Sequence, residues 1–110
     1  LYNLEPYFFQ YLKKSKELII SYNQLTYLGN NVFYGLENNL EKINLAGNKI
    51  KIIESKAFKG LYRLEEISLG NNKLVDIKKI NFDDLESLKK FNFFGNKLIS
   101  FPSILNLSYV

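Results

Sequence analysis

Apolar positions recur along this chain in a single frame. In LEEISLGNNKL, Leu64, Ile67 and Leu69 stand eight, five and three positions before Asn72, and Leu74 follows two positions after it. LEKINLAGNKI repeats the frame with Leu40, Ile43, Leu45, Asn48 and Ile50, and LKKFNFFGNKL with Leu88, Phe91, Phe93, Asn96 and Leu98. SKELIISYNQL keeps it through Leu18, Ile20, Asn23 and Leu25, with Ser15 in place of the opening leucine. The asparagines at 23, 48, 72 and 96 set a period of about 24 residues, the range of stacked repeat arrays.

Each copy divides into two halves. Before the asparagine the alternation has period two, so Ile43 and Leu45 point one way while Lys42 and Asn44 point the other. This predicts a strand of three to five residues, and strands joined by long connections of identical sense stack in parallel. After the asparagine the apolar residues spread to period three, at Ile50, Ile53, Phe58 and Leu61 in one copy and Leu74, Ile77, Phe82 and Leu85 in the next. That spacing predicts a return segment of short 3₁₀ or helical turns. Phe33, Phe58 and Phe82 then stack as a spine on the outer side. Inward asparagines require partners, because a buried polar group without a hydrogen bond is expensive. A column of Asn23, Asn48, Asn72 and Asn96 bonding main-chain groups of its own and neighbouring turns is therefore expected to fix where each strand ends.

The phase predicts repeats at 15–39, 40–63, 64–87 and 88–109, with 1–14 the end of a preceding coil and Val110 the opening position of another. Phe9 and Leu12 take the places that Phe58 and Leu61 hold later; the alternative for the opening stretch is an amphipathic helix beginning near Tyr7 after Pro6. The first repeat has an extra residue within Glu37–Leu40, expected as a bulge. The last keeps three-residue spacing through Ile104, Leu107 and Val110 and implies a 22-residue coil. Both ends would leave apolar surface uncapped, which makes self-association through them an expectation.

From Phe9 to Val110 the residues resemble leucine-rich repeats, LxxLxLxxNxLxxIxxxxFxxL. The resemblance implies an α/β solenoid: a right-handed leucine-rich repeat coil with a short parallel sheet on the concave face and 3₁₀ or irregular turns on the convex face. The 24-residue form with phenylalanine ten places after the asparagine is similar to the class found in extracellular Toll-like receptors and secreted insect immune leucine-rich-repeat proteins. It implies a protein-recognition segment of a larger extracellular or secreted, innate-immunity-related protein. The terminal 22-residue spacing is more like an often intracellular class, which keeps a cytoplasmic scaffold, or a structural spacer, as alternatives. Cysteine-rich caps usual in extracellular members are absent from this chain.

Composition narrows the chemistry. The chain has no Cys, His, Met or Trp, so the usual zinc ligands, thiol nucleophile and imidazole base are missing. Asp83–Asp84 and Glu65–Glu66 read as solvated surface, and the expectation is no enzyme, no cofactor and no metal. Net charge is +4, from fourteen lysines and the single Arg63 against eleven acids. Reading of guanine or phosphate favours arginine, so nucleic acid is not the expected partner. No apolar run is long enough to insert in a membrane.

The family resemblance places ligand contact on the concave strand face. One column there reads Gln24, Lys49, Lys73 and Lys97, a candidate docking stripe for an acidic protein ligand. Ile19, Tyr22 and Phe94, with Asn71 and Asn92 beside them, complete the expected binding face as exposed anchors and polar contacts. The column Glu17, Lys42, Glu66, Lys90 alternates in sign and is read as mostly structural, its opposite charges on adjacent strands stabilising the stack; the neighbouring column reads Lys16, Glu41, Glu65, Lys89. Asn106–Leu107–Ser108 is the one glycosylation sequon.

Overall fold

The computed structural model describes residues 3–99. Six short strands form in chain order: β1 (Glu17–Ile19), β2 (Tyr27–Leu28), β3 (Lys42–Asn44), β4 (Ile52–Ile53), β5 (Glu66–Ser68) and β6 (Lys90–Asn92). β1, β3, β5 and β6 make a four-stranded parallel sheet in that order, and β2 and β4 make a second parallel pair. Register is uniform, with Glu17 opposite Lys42, Lys42 opposite Glu66, and Glu66 opposite Lys90. Backbone pairing runs on past each strand, through Ile20 N–H to Asn44 O at 2.9 Å, Leu45 N–H to Ser68 O at 2.8 Å and Leu69 N–H to Asn92 O at 2.7 Å. Ile43, Ile67 and Phe91 point inward at the strand centres and are buried, while their neighbours alternate outward.

The expected α/β solenoid is not what forms. Among the described residues there is no helix of any kind, α or 3₁₀, and the two sheets are open, neither curled nor closed into a horseshoe. The return segments are built instead from separate turns, such as Val32 N–H to Gly29 O, Tyr34 N–H to Asn31 O and Leu36 N–H to Phe33 O. Left-handed residues interrupt them before one turn can propagate into a helix, with Asn31 at φ 63°, Gly35 at 103° and Gly60 at 80°. Just after the marker asparagines the chain is extended, and the β-branched pair Ile52–Ile53 joins Tyr27–Leu28 in a ladder where helical turns were expected. In the third copy the corresponding position, Asp76, is a single bridge residue and no strand forms. No helix begins near Tyr7 either; residues 6–11 are turns and Tyr7 itself has φ 66°.

Asparagine amides link successive turns. The Asn48 amide donates to Ile20 O at 2.9 Å and Leu45 O at 3.0 Å, while its Oδ1 accepts Leu25 N–H at 3.1 Å. Asn72 repeats this with Leu45 O, Leu69 O and Ile50 N–H, and Asn96 with Leu69 O, Phe93 O and Leu74 N–H. Asn23, half-buried, donates to Ile20 O and Ser21 O. The extra residue of the first repeat widens one turn: Leu40 N–H reaches four residues back to Leu36 O, where Leu64 and Leu88 reach three.

Rings of Phe9, Phe33 and Phe58 stack in succession, with centroids 6.1 and 5.7 Å apart. Phe82 departs from the expected spine and tilts onto Phe91 at 5.6 Å. In the first two repeats the buried residue nine places after the asparagine is Val32 or Ala57. In the third, Ile80 is buried one place earlier and Asn81 is exposed, so the return segment arrives out of phase. Leu12, expected inside, is 50% exposed. Phe101, Ile104, Asn106, Leu107 and Val110, and with them the 22-residue coil and the sequon, lie outside the described residues.

Candidate functional site

Pleating sends every second side chain of the four-stranded sheet outward, and uniform register aligns these side chains in columns. A shallow depression of about 280 Å³ lies across this face, from Glu17 and Ile19 at one edge to Lys90 and Asn92 at the other. Its floor is polar in the middle, at Asn44 and Ser68. Two ion pairs cross from β5 to β6, Lys90 Nζ to Glu66 Oε1 at 3.2 Å and Lys89 Nζ to Glu65 Oε1 at 3.7 Å. Both are well exposed to solvent, so each contributes about 0–1 kcal/mol.

The nine residues expected to form one binding face fall into two groups. Ile19 and Asn92 line the depression, and Tyr22, Asn71 and Phe94 occupy the turns leaving the strands beside it. Ile19, Tyr22 and Phe94 are 62%, 81% and 69% exposed, far more than folding requires of such apolar groups. Gln24, Lys49, Lys73 and Lys97 lie beyond the marker asparagines, on the flank that joins the two sheets, and all are exposed.

Two of the expected contact residues also shape the backbone. Asn92 Oδ1 accepts Phe94 N–H at 3.0 Å, as Asn44 Oδ1 accepts Ala46 N–H at 3.0 Å, folding the chain sharply at the end of the strand. Asn71 is left-handed at φ 54°, as are Tyr22 at 56°, Gly47 at 74° and Gly95 at 78°, so the residue preceding each marker asparagine has this conformation. Asparagine tolerates it and tyrosine does so at a cost, which makes Tyr22 the strained member. The Tyr22 ring lies against Gly47, where an added Cβ would sit 2.5 Å from a ring carbon. Tyr22 is thus held over the neighbouring turn by the absence of a side chain there.

The flank holds residues that sequence reasoning passed over. Lys51, Tyr27, Ile52, Val75 and Ile99 are all exposed along it. Their spacing was read as part of a helical return, which would have scattered them; the ladder between β2 and β4 sets Tyr27 beside Ile52, and Ile99 N–H to Val75 O at 2.9 Å joins the last two copies.

No three residues drawn from His, Cys, Asp and Glu cluster to hold a metal ion among the described residues. No helix among them is long and apolar enough to cross a membrane. The family model described as Leucine rich repeat matches residues 38–98, more than half of the 110. No curated protein matches the chain. Repeats of this kind generally serve as non-catalytic scaffolds for protein interaction, which accords with columns of exposed side chains on a hydrogen-bonded frame. A frame recurring every 24 or 25 residues, parallel strands in one register and turn-linking asparagines come together with that match: the chain belongs to the leucine-rich repeat family.

Proposed function

We propose that the outward face of the four-stranded sheet is a protein-recognition surface, and that the chain is a segment of a larger extracellular protein acting in innate-immune recognition. The observation that carries the first part is the exposure of Ile19, Tyr22 and Phe94 around a polar depression on a rigid ladder. Aromatic side chains held in place lose little entropy on binding and gain the full benefit of desolvation, so they act as anchors. The polar columns between them supply orientation and exclude poorly matched partners. The extracellular and immune part rests on resemblance of the 24-residue, phenylalanine-containing spacing to that class.

The test is cross-linking followed by mass spectrometry in native extracellular fluid and in cell extract, with wild type and a Tyr22→Ala/Phe94→Ala double variant. The expected result is a protein cross-linked next to β1 and β6, recovered at least about tenfold less by the double variant, since anchors of this kind contribute about 2 kcal/mol or more. Undiminished recovery would refute the surface assignment. A native protein found only in cell extract would refute the extracellular part alone.

A further inference from the structure

We propose that the flank between the two sheets is a second contact strip, and that it takes an amphipathic helix carrying an acidic stripe. The proposal rests on the reading of the chain as a protein-recognition array but uses a different surface from the sheet face.

The inner row of the strip is a continuous ladder. Lys49 N–H donates to Leu25 O at 2.9 Å, Lys73 N–H to Ile50 O at 2.9 Å and Lys97 N–H to Leu74 O at 3.0 Å. Farther out, Lys51 N–H to Thr26 O joins the first copy to the second and Ile99 N–H to Val75 O the third to the fourth, both at 2.9 Å. Leu25, Ile50 and Leu74 turn inward and are fully buried, which fixes the intervening side chains outward. Two rows result, parallel to the stacking direction. The first reads Gln24, Lys49, Lys73, Lys97, and the second Thr26, Lys51, Val75, Ile99, with Tyr27 and Ile52 paired in register just beyond.

Charge and shape select the occupant. Among the described residues none of Lys49, Lys51, Lys73 and Lys97 forms an ion pair; neither row contains an acid, and Asp76, next to Val75, accepts the Lys78 N–H at 2.8 Å. An array of lysines held about 4.8 Å apart repels itself, and an acidic partner relieves that repulsion. Beside it Ile52 is 63% and Ile99 79% exposed, apolar area that a phosphate backbone would leave wet. A helix advances about 5.4 Å per turn, so acids at i, i+4 and i+7 follow successive lysines while the adjacent apolar stripe meets Ile52, Val75 and Ile99. An extended strand repeats its face about every 6.8 Å and falls out of step within two lysines.

The probe is a synthetic peptide of about 15 residues with glutamates on one helical stripe and leucines on the next, a length that is barely helical alone. Its control is an isomer of identical composition in which neither stripe forms. Fluorescence anisotropy against the full chain measures affinity, and circular dichroism measures helix gained on binding. The striped peptide is expected to bind with gain of helix, at least about tenfold more tightly than the isomer. Lys49→Glu/Lys73→Glu/Lys97→Glu is expected to weaken it at least about tenfold, and Ile52→Ser/Val75→Ser about threefold or more. A Lys→Gln triple variant, which adds no new charge to the fold, is expected to weaken it in the same direction. Tyr22→Ala/Phe94→Ala leaves it unchanged. Equal binding of the two peptides would reduce the strip to bulk charge and overturn the proposal. So would no saturation at millimolar peptide, binding without helix gain, or tighter lysine-dependent binding to phosphatidylserine vesicles or duplex DNA. Loss of peptide binding with the Tyr22/Phe94 variant would move the contact to the sheet face. Partner recovery that depends on Tyr22 and Phe94 would survive any of the other failures.

Discussion

Replacing Asn72 with alanine tests how successive turns are joined. The Asn72 side chain donates to Leu45 O and Leu69 O at 3.0 Å and to Gly70 O at 3.2 Å, and accepts Ile50 N–H at 3.1 Å. Not all of these groups are orphaned when it goes. Leu69 O keeps the Asn96 amide at 2.9 Å, Leu45 O keeps the Asn48 amide at 3.0 Å, and Gly70 O keeps Gly47 N–H at 2.9 Å. Ile50 N–H alone loses its acceptor, at about 1–3 kcal/mol, and loss of the shared bonds adds about 0.5–1.5 kcal/mol more. The expected destabilisation is therefore about 3 kcal/mol in urea unfolding followed by circular dichroism. The sharper result concerns the double variant Asn48→Ala/Asn72→Ala. Leu45 O then loses both donors at once and becomes a buried unsatisfied carbonyl, so the double variant is destabilised by about 1–3 kcal/mol beyond the sum of the singles. Asn38→Ala, at an exposed position, is expected to stay within about 0.5 kcal/mol of wild type. Additive single effects, or an Asn72→Ala loss no larger than that of Asn38→Ala, would refute the shared-carbonyl argument.

Gly47→Ala forces a side chain into a left-handed residue and against the Tyr22 ring, so thermal melting is expected to show a loss of about 1–3 kcal/mol, partly recovered by adding Tyr22→Ala. Gly70→Ala, where the new Cβ comes no nearer than 3.4 Å to its closest neighbour, Phe94 O on the next turn, is the tolerated counterpart. Phe58→Ala removes a fully buried ring stacked on Phe33 and is expected to lose about 3–5 kcal/mol in denaturant unfolding, whereas the half-exposed Leu12→Ala loses under about 1 kcal/mol. Glu66→Gln breaks its ion pair with Lys90 and changes stability by less than about 1 kcal/mol; a larger, salt-sensitive change would show that the pair anchors β6.

Much of the candidate site can be traced to particular residues before any coordinates are known. The outward places of Ile19 and Asn92 follow from period-two alternation in strands whose inward residues are Leu, Ile or Phe. The division of the nine residues between face and flank could not be traced in that way. Gln24, Lys49, Lys73 and Lys97 share a column with one another, but their distance from the strand columns depends on how sharply each chain folds after Phe94 or Ala46. That bend is set by the Asn44 and Asn92 side chains together with the left-handed residue that follows, and a one-dimensional frame has no means of expressing it.

The amino-acid order by itself determined the repeat length, the inward residues of the strands and the family, because all three are properties of spacing and volume that hold whatever shape the turns adopt. The tertiary structure alone decided that the return segments are separate turns, that Tyr27–Leu28 and Ile52–Ile53 form a second ladder, and that Phe82 leaves the spine for Phe91. Period-three spacing suits a helical turn and an interrupted extended segment equally well. The choice fell to hydrogen bonds between residues some 24 apart, such as Lys51 N–H to Thr26 O, and to the buried place that Ile80 takes one position early.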